Sequence, residues 1–155
     1  AAILWTSSQL TKENKNFLRE LPEKIIEENF TVVHGSPREP IKEYLIKPSD
    51  MQENLQFFET QICFVGHSHY PFVYTSEKSI TKLQENEPIE ISSKSIINPG
   101  AVGQPRDGDN RACFMILEGN EITFHRVNYD IKAVQKKMKI EKLPEYLVER
   151  LNYGR

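Results

Sequence analysis

Residues Cys63-Phe64-Val65-Gly66-His67-Ser68-His69 form an apolar run that stops at a glycine and then presents two histidines one residue apart. In a strand, residues i and i+2 leave the backbone on the same side, roughly 6.6 Å apart along it. On a helix the same spacing would send the rings in different directions. Imidazole is the commonest side-chain ligand for borderline transition metals, so two rings where an apolar strand meets a loop suggest a metal site. A second apolar run, Phe30-Thr31-Val32-Val33, also ends in His34-Gly35. Any one of these histidines alone reads more simply as a hydrogen-bonded structural residue. The spacing and the repeated junction carry the metal reading.

The elements that must hold these residues are legible in outline. Ala1 to Trp5 read as the tail of a preceding element, and Thr11 as the cap of a short helix carrying Phe17, Leu18 and Leu21 on one face, closed by Pro22. Residues 24–27 and 30–34 read as a hairpin turning at Glu28-Asn29, or as one broken strand. Ser49 is expected to cap a helix over residues 50–60, with Gln52 in the capping-box position and Met51, Leu55 and Phe58 as its apolar stripe. Residues 62–65 form a short apolar strand, residues 72–75 its expected antiparallel partner, and residues 76–87 an exposed loop or weak hairpin. Residues 89–91 and 95–98 are further strands. Residues 98–109, dense in Pro and Gly, make a fixed loop. A hairpin over residues 112–117 and 121–127 turns at Gly119-Asn120, Asp130 caps a helix over residues 131–138, and another short helix follows Pro144. This order predicts an α/β arrangement with sheet faces covered by helices.

Composition narrows the function classes. The 155 residues suit a single domain spanning 1–155, with enough chain to bury a core. The 20 basic and 22 acidic residues are intermixed, so the basic footprint of a nucleic-acid platform is missing. No apolar run approaches the length of a membrane span, and no signal peptide is visible. Cys63 and Cys113 lie in apolar strands and read as buried free thiols. A reduced, cytoplasmic protein is the expectation.

Val33-His34-Gly35-Ser36-Pro37-Arg38, Val65-Gly66-His67-Ser68-His69 and Asn98-Pro99-Gly100-Ala101-Val102-Gly103-Gln104-Pro105-Arg106, in that order, resemble the later motifs of calcineurin-like metallophosphoesterases. The branch they resemble is that of bacterial and archaeal phosphodiesterases and diadenosine-tetraphosphatase-related proteins. Phe124-His125-Arg126-Val127-Asn128-Tyr129-Asp130 and Gly154-Arg155 resemble the same branch. Departures are mild: Ser68 stands where Thr is usual, Ala101 where Ser is, and Asn110 where Pro is common. Members of the family open with Asp-x-His, Gly-Asp-x-x-Asp and Gly-Asn-His-Asp motifs, and none occurs here. The expectation is therefore the C-terminal portion of such a protein. The resemblance implies a β-sandwich flanked by helices, in α-β-β-α layers, here lacking its N-terminal strands.

It also implies a metal-dependent phosphoesterase, splitting phosphodiesters or phosphomonoesters with a metal-activated water at a binuclear site. The cofactors would be two divalent ions (Mn, Zn, Fe or Ni) in the complete protein, with partial or no occupancy in this chain. By the resemblance His34 and His67 would bind one ion and His69 the other. Two dications roughly 3.5–4 Å apart need anionic ligands, which three neutral imidazoles cannot supply. The missing motifs would bring them, so this chain alone is expected to be inactive. Asp107 and Asp109 are tempting carboxylates, but a polar turn is the simpler reading. Arg38 and Arg106 could grip phosphate oxygens bidentately, or could staple their loops. Asn98 could touch substrate, although fixing its own turn explains it more simply. No catalytic acid or base is assigned, and His125 reads as an exposed strand residue. Expected partners are a phosphoester small molecule or nucleotide, and either a second copy or a complementing N-terminal fragment; no membrane is expected. The rival readings are a non-catalytic phosphoesterase-like scaffold and an inactive truncated fragment.

Overall fold

The computed structural model describes residues 1–77 and 80–155. Two short helices come first, α1 (Ala2–Gln9) and α2 (Lys12–Glu20). Thr11 caps the second, its Oγ1 accepting the Asn14 N–H at 3.1 Å. Phe17, Leu18 and Leu21, expected as a packing face, are exposed. Strands β1 (Lys24–Ile26) and β2 (Phe30–Val33) pair antiparallel, as the hairpin reading requires.

Helix α3 (Pro48–Asn54) starts before its predicted position. Lys47 occupies the cap, and the Asp50 carboxylate, not Gln52, accepts its N–H at 3.2 Å. Pro48 decides this start: its φ is preset for a helix and it has no N–H to leave unpaired. The helix then tightens into a 3-10 turn at Leu55–Phe57 and stops short of Thr60. Met51, Leu55 and Phe58 are nonetheless buried, as their spacing predicts.

The remaining elements are β3 (Ile62–Phe64), β4 (Phe72–Thr75), β5 (Ile80–Thr81), β6 (Pro88–Glu90), β7 (Ser95–Asn98), β8 (Ala112–Glu118), β9 (Glu121–Val127), α4 (Ile131–Ile140) and α5 (Glu145–Glu149). Asp130 caps α4 by accepting the Ala133 N–H at 2.9 Å. Within the segment read as a loop or weak hairpin, β5 pairs with β4; Lys78 and Ser79 lie outside the described residues.

Six strands form one sheet in the order β1-β2-β3-β7-β4-β5, and three form another in the order β6-β9-β8. The sequence expectation that β4 pairs with β3 is corrected: β7 lies between them, parallel to β3 and antiparallel to β4. All four residues of β7 are buried, and a strand buried on both faces belongs in the middle of a sheet. Alternation then builds two cores. Cys63, Phe72, Tyr74 and Ile96 face Met51 of α3 and Leu55 of the turn that follows it. Ile62, Val73 and Ile97 face Ile122 of the second sheet. The result is the expected β-sandwich with helices outside it. Both cysteines are free and buried. Among the described residues no helix is long and apolar enough to cross a membrane.

Candidate metal centre

Strands β2, β3 and β7 run parallel, with Val32, Phe64 and Ile97 in register. Their carboxyl ends therefore form one rim, the usual place for ligands on a parallel sheet. His34 follows β2, His67 and His69 follow β3, and Asn98 ends β7. His34 Nε2 stands 2.9 Å from His67 Nδ1. Two nitrogens on one ion, at the zinc bond length and at angles from a right angle to tetrahedral, stand about 2.9–3.3 Å apart. The pair thus suits one borderline ion as well as a shared proton.

The route to this geometry differs from the strand argument. His67 and His69 both lie beyond β3, with φ of 59° and 58°. This left-handed backbone costs a non-glycine residue roughly 1–2 kcal/mol. It folds the loop tightly, so strand alternation does not set the ring directions. His69 Nδ1 lies 2.7 Å from the Gln104 carbonyl, to which an N–H donates, leaving Nε2 with its lone pair. Burial lowers the His67 pKa, and His34, Arg106 and His69 add to this against the pull of the Lys42 carbonyl. Burial likewise lowers that of His69, with Arg106, His34 and Arg150 adding to it and the Gln104 carbonyl opposing. Both shifts favour neutral imidazole, the form that binds metal. His69 thus lies within electrostatic reach of the other two rings. Among the described residues, no three His, Cys, Asp or Glu side chains gather closely enough to hold an ion. The histidines are a partial donor set.

Asn98 fixes the loop that carries two of them. It is fully buried, and its Nδ2 donates to the Gly66 carbonyl at 2.8 Å and to Ser68 Oγ at 3.0 Å. Its Oδ1 accepts the Gly100 N–H at 2.9 Å. Gly100 has φ of 85°, and a Cβ there would run into the Cys113 sulfur, so the turn needs glycine twice over. Gly66 N–H donates to the His34 carbonyl at 2.9 Å, joining the two histidine loops.

Tyr44 stacks on the His67 ring with centroids 3.7 Å apart, a contact that no local motif announces. The loop before it is pinned by Glu43, which takes hydrogen bonds from buried Ser36, from Arg38 and from Asn54. Asn54 also accepts the Arg38 backbone N–H at 3.1 Å. The signal was available: Asn54 is a polar residue three positions beyond Met51, on the buried stripe of α3.

The other candidates fall into place. Arg38 pairs with Glu43 and Glu53, the loop-stapling arrangement. Asp107 pairs with Arg126, which is 4% exposed. Asp109 pairs with Arg111 at 2.6 Å, and that guanidinium pushes its carboxyl down to about 2. Both carboxylates build an ion-paired turn. His125 stacks on Phe114 and reaches Asn86 Oδ1 at 2.8 Å. Arg106 differs from Arg38. It has no carboxylate partner among the described residues, its Nη2 donates only to Gln104 Oε1 at 3.2 Å, and its Nε is buried without a partner.

Residues 8–121 match the sequence profile of the calcineurin-like phosphoesterase superfamily domain. An uncharacterized protein of Methanocaldococcus jannaschii is 41% identical over 162 residues, an alignment covering 99% of this chain and 65% of the relative. The chain thus spans about two thirds of that relative's length. The crystal structure of a metallophosphoesterase from Sphaerobacter thermophilus superposes with a TM-score of 0.95 at 42% identity, covering 98% of this chain and 67% of that one. A hypothetical protein from Pyrococcus horikoshii shares the fold, with a TM-score of 0.76 at 22% identity over 96% of this chain and 57% of its own.

Proposed function

Because the chain belongs to the calcineurin-like phosphoesterase superfamily, we propose that it supplies the histidine half of a binuclear metal site that hydrolyses phosphoesters. The observation that carries this reading is the 2.9 Å approach of His34 Nε2 to His67 Nδ1 on the rim of three parallel strands. In this proposal His34 and His67 hold one divalent ion and His69, its tautomer set by the Gln104 carbonyl, holds the second. Bound ions would polarise the phosphoryl oxygens and acidify a water. The chain's own residues do the rest. Tyr44 and Asn98 fix the imidazoles in place, and the Arg106 guanidinium, which has no carboxylate partner among the described residues, takes a phosphate oxygen. The anionic ligands that two dications require come from outside the three histidines. Manganese, zinc, iron and nickel all suit imidazole and oxygen donors. A scaffold reading would leave the paired imidazoles without a task.

Calorimetric titration of the chain with zinc or manganese tests the proposal. Binding that His67→Ala abolishes is the expected result. Uptake unchanged by His67→Ala and His69→Ala would sink the site assignment. Hydrolysis of bis-p-nitrophenyl phosphate by the 155-residue chain should be very weak. Fast turnover lost on Asp107→Ala or Asp109→Ala would show a differently built site.

A further inference from the structure

The loop that carries His67 and His69 has a second face. Ser68, between the two histidines, also lines a cavity of about 350 Å³. Its floor is Leu45, Met51 and Phe72, all buried in the core between α3 and the larger sheet. Its rim is Ile46, Tyr70 and Ile80, which are 68%, 55% and 49% exposed. Among the described residues no charged side chain lines it, and its volume falls in the range of small-molecule sites. Apolar rim residues left in water around an apolar floor represent burial not yet taken up.

We infer that this cavity receives the apolar, aryl-type substituent of the phosphoester, while its phosphate lies at the histidines and Arg106. The inference rests on the phosphoesterase reading and adds a substrate class to it. Continuity through Ser68 links the two halves, because Tyr70 and Pro71 in the cavity wall directly follow His69. Ser68 Oγ already accepts from Asn98 Nδ2 at 3.0 Å and from the Tyr70 N–H at 3.4 Å. Its own hydrogen is left to donate, at the junction of cavity and loop, to an oxygen of the ester. The wall chemistry selects among substituents. A nucleobase read by its edge needs several placed donors and acceptors, and among the described residues the polar side chains of the lining are the Ser68 hydroxyl and the Tyr70 phenol. A charged or sugar group would lose hydration without replacement. A flat apolar ring meets Tyr70 and Phe72 as aromatic partners and the Met51 thioether.

Calorimetry on the 155-residue chain in manganese tests this with phenylphosphonate, methylphosphonate and adenosine monophosphate. Phenylphosphonate should bind at least about tenfold more tightly than methylphosphonate, as burial of a ring predicts. The double variant Ile46→Ser, Tyr70→Ser changes only exposed positions. It should bring phenylphosphonate to within about twofold of methylphosphonate and leave methylphosphonate itself unchanged. Equal affinity for the two phosphonates in the unaltered chain overturns the inference and leaves the phosphoesterase reading standing, as does a clear preference for adenosine monophosphate. A dimer that Ile46→Ser dissolves, with no phenyl preference, shows the cavity to be covered by a second copy and also overturns it. Binding of neither phosphonate overturns it too. If manganese uptake is absent as well, the phosphoesterase reading falls with it.

Discussion

The Asn98 amide donates to Ser68 Oγ across 3.0 Å, tying the end of β7 to the residue that separates the two histidines of the β3 loop. The same nitrogen holds the Gly66 carbonyl, and the amide oxygen holds the Gly100 N–H. One buried side chain thus sets two turns. Asn98→Ala leaves several of these buried groups unpaired and should cost about 2–4 kcal/mol of stability, at roughly 1–3 kcal/mol per orphaned group. It should also weaken zinc binding by about 10–100-fold, because outer partners orient the ligating rings. Denaturation and zinc titration measure the two effects separately. Full zinc affinity in a destabilised Asn98→Ala chain would confine Asn98 to its own turn.

Arg106 and Arg38 were equal candidates for phosphate contact in the sequence, and their surroundings separate them. Arg38 is committed to Glu43 and Glu53, whereas Arg106 keeps a buried, unpartnered Nε beside the His69 loop. Arg106→Gln should lower affinity for inorganic phosphate by about tenfold, the scale of a charge-assisted hydrogen bond, and Arg106→Lys should recover part of it. Arg38→Met should leave phosphate affinity unchanged, since its guanidinium is committed to Glu43 and Glu53. Phosphate-binding isotherms for the three variants decide. Loss in Arg38→Met with none in Arg106→Gln would reverse the assignment.

Local chemistry made much of this chain legible. Thr11 and Asp130 cap helices as their side chains dictate, and Gly119-Asn120 turns the β8–β9 hairpin. Contacts that depend on distant pairing were not legible. The insertion of β7 between β3 and β4 follows from burial on both faces, which a four-residue strand does not announce. The helix start moved because Pro48 and Asp50 together outweigh Ser49 as a cap. The histidine pair was found from glycine-flanked strand ends, although left-handed backbone at His67 and His69 sets the loop. Tyr44 carries no local mark. Its stacking on His67 arises only once Glu43, Ser36 and Asn54 have pinned its loop.

The ion-paired turn at Asp109 makes a pH prediction. Arg111 holds the Asp109 carboxyl at about 2, below its usual value near 3.8. A depressed carboxyl stabilises the fold above its unfolded value, and that contribution disappears as pH falls toward the folded one. Stability should therefore drop between about pH 4 and pH 2 more steeply in the unaltered chain than in Asp109→Asn, which has no such group to protonate. Thermal melts across this window read the difference. Parallel curves for the two chains would show that Asp109 adds nothing through its charge.

Strand β8 is the outer strand of the three-stranded sheet, seven residues long; among the described residues no strand pairs with its second edge, where the Cys113 N–H donates to the Ala101 carbonyl. It runs Ala-Cys-Phe-Met-Ile-Leu before its first charge at Glu118, and Ile116 is exposed. Long apolar edges without proline or inward charge are templates for another strand, because their N–H and C=O groups and side chains all gain by pairing. We expect the chain to pair this edge, either with a second copy or with a complementing N-terminal fragment. Sedimentation velocity should show association that grows with concentration. Ile116→Lys, at an exposed position, should suppress association without lowering the melting temperature, since a lysine on an edge strand blocks pairing by charge. Adding a strand-forming fragment that binds should compete with self-association and protect β8 amides from exchange. A monomer at every concentration whose outward-facing β8 amides beyond Cys113 exchange freely, with or without such a fragment, would show that this edge recruits nothing.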